Sequence, residues 1–210
     1  PDGICPISYM LLDKKEKTIL CYINVKNVSA KSVNILESTP FMICFMMLLI
    51  DMNGFLIHTS AIEISEYGFC FSGKSGSGKS TISRLFLTFS PYTVLTDETA
   101  IIRKINEQWV LFGTHWKGSG GDIYSNKSCE LKGIYFIYHG QDNQIIPVEK
   151  KEALEIMVTQ VFPFFWDQNS MLKLFTMLKK LTDDIKIQKY YFLPQKTAIE
   201  KVKRDIKLWT

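Results

Sequence analysis

The sequence predicts an α/β fold. Short apolar segments of strand length alternate with segments of helical period, and a glycine-rich octapeptide joins one such strand directly to one such helix. The 210 residues, 46% hydrophobic and 22% charged, are enough for one hydrophobic core, so residues 1–210 read as a single domain. A β-hairpin and a helix occupy its first part, at about 1–54.

Ile7 to Asp13 and Thr18 to Val25 flank Lys14-Lys15-Glu16-Lys17, as two strands flank a charged connection. Thr39-Pro40 starts a helix with Thr39 as N-cap, and Gly54 ends it; its run from Phe41 to Ile50 predicts nearly complete burial. Phe55 to Ser60 and Tyr67 to Ser72 are two strands turning near Glu66-Tyr67-Gly68, and the second runs into the glycines. From Lys79 onward, Ile82, Leu85, Phe86 and Phe89 share one face of a helix. Val94-Leu95 and Ala100-Ile101-Ile102 form an extended pair around Thr96 to Thr99, and Trp109 to Phe112 and Ile134 to Tyr138 are further strands. Lys117 to Asp122 is too glycine-rich for a regular element and predicts a mobile loop. Beyond Pro147, Glu152 to Phe162 and Ser170 to Leu181 are helical, with Met171, Leu174, Phe175, Leu178 and Leu181 on a core-facing side. A strand from Ile185 to Phe192 and a helix from Thr197 complete the series.

The bulk properties exclude several classes. A net charge of +4 is mild, and the basic stretch from Lys196 to Lys207 is interrupted by Glu200 and Asp205 like a solvated helix face, which argues against a nucleic-acid partner. The most apolar run is half the ~20 residues a spanning helix needs, so no membrane partner is expected. Five cysteines (5, 21, 44, 70 and 129) without a CxxC pair or a neighbouring histidine cluster read as buried free thiols in a reducing cytoplasm. No basic-then-apolar signal segment opens the chain, and its start at Pro1 rather than Met is compatible with a natural N-terminus further upstream. A homo-oligomer is compatible with all of this.

Gly73-Lys74-Ser75-Gly76-Ser77-Gly78-Lys79-Ser80 fits GxxxxGK[ST] without a mismatch, and Thr81 follows. Glycines at 73, 76 and 78 permit positive φ and close backbone approach, so that successive N–H groups converge on phosphate oxygens. Lys79 supplies a point charge for the β and γ phosphates, Ser80 a hydroxyl for Mg²⁺, and the helix aims the positive end of its dipole at the anion. The stretch from Gly73 to Thr81 is thus the predicted nucleotide-binding segment, with ATP and Mg²⁺ as its ligands. Asp97-Glu98 follows a short apolar lead-in that can bring a carboxylate to that metal, and phosphoryl transfer needs both metal ligation and a proton acceptor. His58 lies on the strand before the one entering the loop, where an imidazole can orient a carboxylate or relay a proton if those strands pair.

Together, LIHTSAIEISEYGFCFSGKSGSGKST and VLTDETAII resemble the catalytic domain of HPr kinase/phosphorylase and its wider P-loop group, which is related to phosphoenolpyruvate carboxykinase. That resemblance implies a mixed β-sheet flanked by helices. It also implies an ATP-dependent kinase in which Asp97 is the general base, His58 assists it, Lys79 is catalytic, and Ser80 with Glu98 holds Mg²⁺. Glu98 stands where the family has a second aspartate, and Thr81 replaces an acidic residue common in the bacterial enzymes. No match to the family's second glycine-containing signature follows, which argues against HPr as the substrate. FGTHWKG, LKGIYFIYHG and FPFFWD are more similar to the HPr-kinase-like proteins found with peptide-modification systems. His115, Trp116 and Lys117 are candidates to contact substrate or cover the site.

The expectation is therefore a kinase that phosphorylates a hydroxyl, serine foremost, on a peptide, protein or small molecule. The alternative is a catalytically inactive ATP-binding regulatory module; a carboxykinase-like metabolic enzyme is a third reading, against which the short chain argues.

Overall fold

The computed structural model describes residues 8–23, 39–116, 123–164 and 166–207. Ile7, Val25, Cys5 and the predicted loop from Lys117 to Asp122 lie outside the described residues. The chain separates into two compact units, within 1–52 and 53–210, at the end of the hairpin-and-helix segment.

In the first unit, β1 (Ser8–Asp13) and β2 (Thr18–Ile23) form an antiparallel hairpin. Asp13 closes its turn: Oδ1 accepts from the backbone N–H groups of Lys15 and Glu16 at 2.9 and 3.0 Å, the local bonding that makes aspartate a turn residue. Helix α1 (Thr39–Asp51) begins where Thr39-Pro40 predicts. Its expected near-complete burial is corrected: Met46, Leu49 and Ile50 are buried, whereas residues 41–45 are half-buried. Apolar side chains run around its whole circumference, and a single packing surface covers one face. Among the described residues no helix is long and apolar enough to cross a membrane.

The second unit is α/β, with a mixed sheet and helices. Strands β3 (Gly54–Ile64) and β4 (Tyr67–Ser72) turn through Ser65 and Glu66, both at positive φ (51° and 73°), the mirror-image turn whose twist suits adjoining strands. Then come α2 (Lys79–Phe89), β5 (Thr93–Thr96), β6 (Thr99–Ile105), β7 (Gln108–Phe112), β8 (Ser128–His139), β9 (Gln144–Pro147), α3 (Lys150–Val158), α4 (Gln168–Asp184), β10 (Lys186–Phe192) and α5 (Lys196–Ile206). β3 pairs with β4, β4 with β8, β8 with β7, β7 with β6, and β6 again with β3, so five strands close on one another. β10 and β9 extend the sheet beyond β8. β4, β8 and β10 run parallel and the remaining pairings are antiparallel, so Ser72, His139 and Phe192 all end at the edge where the glycine loop begins.

Alternate residues of these parallel strands, including Phe69, Phe71, Tyr135, Ile137, Tyr190 and Phe192, form one core with Ile82 and Phe86 of α2 and Ala198, Ile199, Val202 and Ile206 of α5. Phe71 stacks on Tyr135 at 5.1 Å between centroids, and the Tyr135 hydroxyl donates to Asp205 Oδ2 on α5 at 2.9 Å. The bond gives Asp205 a structural partner within the basic stretch. Ser60 on β3 and Ser83 on α2 share a buried hydroxyl–hydroxyl bond of 2.5 Å. The helix carrying Lys79 is thus clamped onto the sheet by packing and by a polar contact.

Several sequence expectations are corrected. The expected burial of the thiols holds for Cys70 alone among the described cysteines: Cys44 and Cys129 are half-buried and Cys21 is exposed. The extended pair around Thr96 to Thr99 is present as β5 and β6, and both lie along β3, where Ala61 pairs with Thr96 and His58 with Thr99. Asp97 and Glu98 therefore span the gap opposite Thr59 and Ser60, and the Glu98 carbonyl accepts from Thr59 N–H at 3.0 Å. On α4, Leu174, Leu178 and Leu181 are buried but Phe175 is 40% exposed, because the i, i+4, i+7 stripe is narrower than the predicted side. Phe89 lies on the same stripe as Ile82 and Phe86 but, as the last residue of α2, is exposed. α3 stops at Val158, and Val161 instead bridges Ile57. β9 has no counterpart in the sequence reading.

Candidate functional site

The octapeptide takes the strand–loop–helix form its spacing predicts: β4 ends at Ser72 and Lys79 is the first residue of α2. Its three glycines serve two different needs. Gly76 and Gly78 have positive φ (80° and 101°), a region costly for other residues. Gly73 does not appear among the positive-φ glycines; there a Cβ would meet Ser77 Oγ at 2.5 Å and the Ile137 carbonyl oxygen at 2.9 Å. The conformational freedom is thus used at Gly76 and Gly78, and the close approach at Gly73.

Lys79 is 7% exposed, and its ammonium donates to the carbonyl oxygens of Gly73 at 2.8 Å and Lys74 at 3.2 Å. An ammonium has three N–H donors, so these two carbonyl bonds use two of them. Burial holds the Lys79 pKa below the usual lysine range, and the charge of Glu98 offsets part of that.

Across the loop, His58 Nδ1 lies 3.2 Å from Glu98 Oε1. Burial, followed by the Lys79 cation, lowers the His58 pKa, while Glu98 pulls the other way. Desolvation and like charge win, so the imidazole binds a proton less readily than usual although a carboxylate oxygen lies beside it. A cleft of about 450 Å³ has Ser75, Gly76, Gly78, Lys79, Ser80 and Thr81 on its loop side and His58 and Glu98 on the other. This volume is in the range of small-molecule sites.

No family model matches the chain. No curated protein matches it in sequence. Among solved structures it is similar to an HPr(Ser) kinase/phosphatase from Coxiella burnetii, at 15% identity and a TM-score of 0.42 over 73% of this chain and 96% of that one.

Of the predicted residues, the fold brings His58, Lys79, Ser80, Thr81 and Glu98 to one cleft. Asp97 is 0% exposed, and it is Glu98 that meets His58. Ser77 is buried within the loop, and Lys74 is exposed at its outer side, where Gly73 and Lys74 also border a second cleft of about 310 Å³ beside Tyr138 and Ile156. His115 and Trp116 pack against each other, with ring centroids 5.0 Å apart and planes tilted by 34°, and do not line the first cleft; Lys117 lies outside the described residues.

Two residues at the loop escaped sequence reasoning. His139, at the end of β8, contacts the Gly76 carbonyl oxygen through Nε2 at 2.7 Å, and Phe192, at the end of β10, packs under Gly78. Their signal was positional: each ends a strand parallel to the one that enters the loop.

Among the described residues, no group of three or more His, Cys, Asp or Glu side chains is arranged to hold a metal ion. The donor set nevertheless fits Mg²⁺, a hard cation that takes oxygen ligands and keeps water and phosphate in its shell: Ser80 and Glu98 both bring oxygen donors to the cleft.

Proposed function

We propose that the chain is an ATP- and Mg²⁺-dependent kinase that transfers a phosphoryl group to a hydroxyl, serine on a peptide or protein or a hydroxyl of a small molecule. The observation that carries this reading is the cleft in which Lys79, Ser80 and the start of α2 face His58 and Glu98. The resemblance of the stretches that carry these residues to HPr-kinase-like sequences supports it as well.

Lys79 and the loop amides hold the β and γ phosphates and stabilise the charge that spreads over the transferred group. Ser80 and Glu98 would hold Mg²⁺, which neutralises phosphate charge. His58, whose Nδ1 lies 3.2 Å from Glu98 Oε1, steadies that carboxylate. The acceptor oxygen bonds to the γ-phosphorus, the bond to the ADP oxygen breaks, and the acceptor's proton passes to a carboxylate, for which we propose Asp97. Enclosed as it is, Asp97 requires the connection at 97–98 to turn toward the acceptor on loading, a movement Glu98 does not need.

A second reading, an ATP-binding regulatory module, is favoured by that same enclosure. Incubation with γ-labelled ATP, Mg²⁺ and a serine-peptide library separates the two. Asp97→Asn should cut transfer about 100-fold or more while ATP affinity holds. Loss in Glu98→Gln alone would move the base to Glu98, undiminished transfer in both variants would sink a carboxylate base, and ATP binding without transfer in the native protein would favour the regulatory module.

A further inference from the structure

We propose that His139 is a positioning residue that tethers the apex of the glycine loop and thereby sets its affinity for polyphosphate. The inference rests on the nucleotide-binding reading of the loop and assigns a role to a residue outside the octapeptide.

A carbonyl oxygen only accepts, so the 2.7 Å contact with Gly76 requires His139 to carry a proton on Nε2 and to donate it. The bond joins the end of β8 to a loop residue 63 positions earlier in the chain. Gly76 has φ 80°, and a Cβ built there would meet nothing within 4 Å beyond its chain neighbours, so no side-chain packing on that side constrains the residue. The His139 ring in turn stacks on Phe192, with centroids 6.4 Å apart and planes 24° from parallel. Phe192 and His139 are direct neighbours in the β10–β8 ladder. Two rings on adjacent parallel strands therefore back the second half of the loop, one by a hydrogen bond at Gly76 and one by packing at Gly78. Fixing the Gly76 carbonyl fixes the whole planar peptide to which it belongs, including the N–H of Ser77. Ser77 N–H already closes a turn onto the Lys74 carbonyl at 3.1 Å, so the tether and the turn hold opposite ends of one peptide unit. Preorganised amides bind an anion without a further ordering cost, and a loosened loop must be ordered first.

Three variants distinguish a hydrogen-bond tether from simple packing. H139Q keeps a donor near the Nε2 position but loses the ring, H139F keeps a stacking ring but cannot donate, and H139A loses both. The dissociation constant of Mg·ATP, measured by calorimetric titration of the whole chain, should rise about five- to tenfold in H139A and H139F and stay within about twofold of native in H139Q. Amide hydrogen exchange over residues 74–78 should speed up in the same two variants without change in the body of β8. Native-like behaviour of H139F with weakened H139Q would overturn the tether in favour of packing, and three native-like variants would overturn it outright. If native protein binds no Mg·ATP, the nucleotide reading falls; the tether is then judged by hydrogen exchange alone, and equal protection in H139F and native would sink it.

Discussion

Substituting each positive-φ glycine of the loop by alanine should have unequal consequences, and the difference is set by Phe192. At Gly76 a methyl group enters open space, so the cost is the left-handed backbone alone, about 1–2 kcal/mol. At Gly78 the same backbone cost applies, and the new Cβ would also lie 2.6 Å from Phe192 Cζ, inside van der Waals contact. Overpacking of this kind costs about 1–3 kcal/mol, so Gly78→Ala should destabilise by about 2–5 kcal/mol in total. The surplus belongs to one ring, so Phe192→Leu should relieve it. In a double-mutant cycle followed by urea unfolding, Gly78→Ala with Phe192→Leu should be less destabilised than the sum of the single variants by about 1–3 kcal/mol. The matching cycle with Gly76→Ala should be additive within about 0.5 kcal/mol. Equal losses at the two glycines, or additivity at Gly78, would refute the claim that Phe192 forms the floor of the loop.

Lys79→Ala removes a buried cation with two carbonyl partners and should weaken ATP binding by about 1.5–3 kcal/mol, ~10- to ~150-fold in Kd by titration; unchanged binding would reject the phosphate site. His58 titrates below the ordinary imidazole value of 6.5, so as pH falls the unfolded chain takes up the proton first. Its contribution should be complete above pH 6.5 and decline as pH drops through the folded value; Tm scans of native protein and His58→Gln should show a shallower acid decline in the variant. Tyr135→Phe removes the hydroxyl bonded to Asp205, and urea unfolding should report a loss of about 0.5–1.5 kcal/mol, with no change indicating that this bond adds nothing between α5 and the sheet.

The glycine octapeptide was legible because its determinants are contiguous: the positive-φ glycines, the lysine and the hydroxyl follow one another at the start of one helix. The approach of His58 to Glu98 was legible in outline because both flank the loop-bearing strand and helix in sequence. What it could not convey was which of two adjacent carboxylates turns into the cleft, because that depends on both β5 and β6 aligning along β3. His139 and Phe192 were hidden for a related reason, since their contacts with the loop exist only once β8 and β10 lie parallel to β4. The four residues of β9, Gln144-Ile145-Ile146-Pro147, are too short and too exposed to show a strand pattern.

Ring closure of β3, β4, β8, β7 and β6 also bears on how copies of this chain meet in a crowded solution. Aggregation by edge-to-edge growth needs a long strand with unused backbone donors and acceptors. β4, which carries the loop, is hydrogen-bonded on both sides, to β3 and β8. On the far side of the sheet, the outermost described strand is β9, only four residues long and terminated by a proline that cannot donate. Neither offers an extended template for an incoming strand, so within this sheet the pairings that hold the glycine loop in place also leave the strand that carries it no free edge.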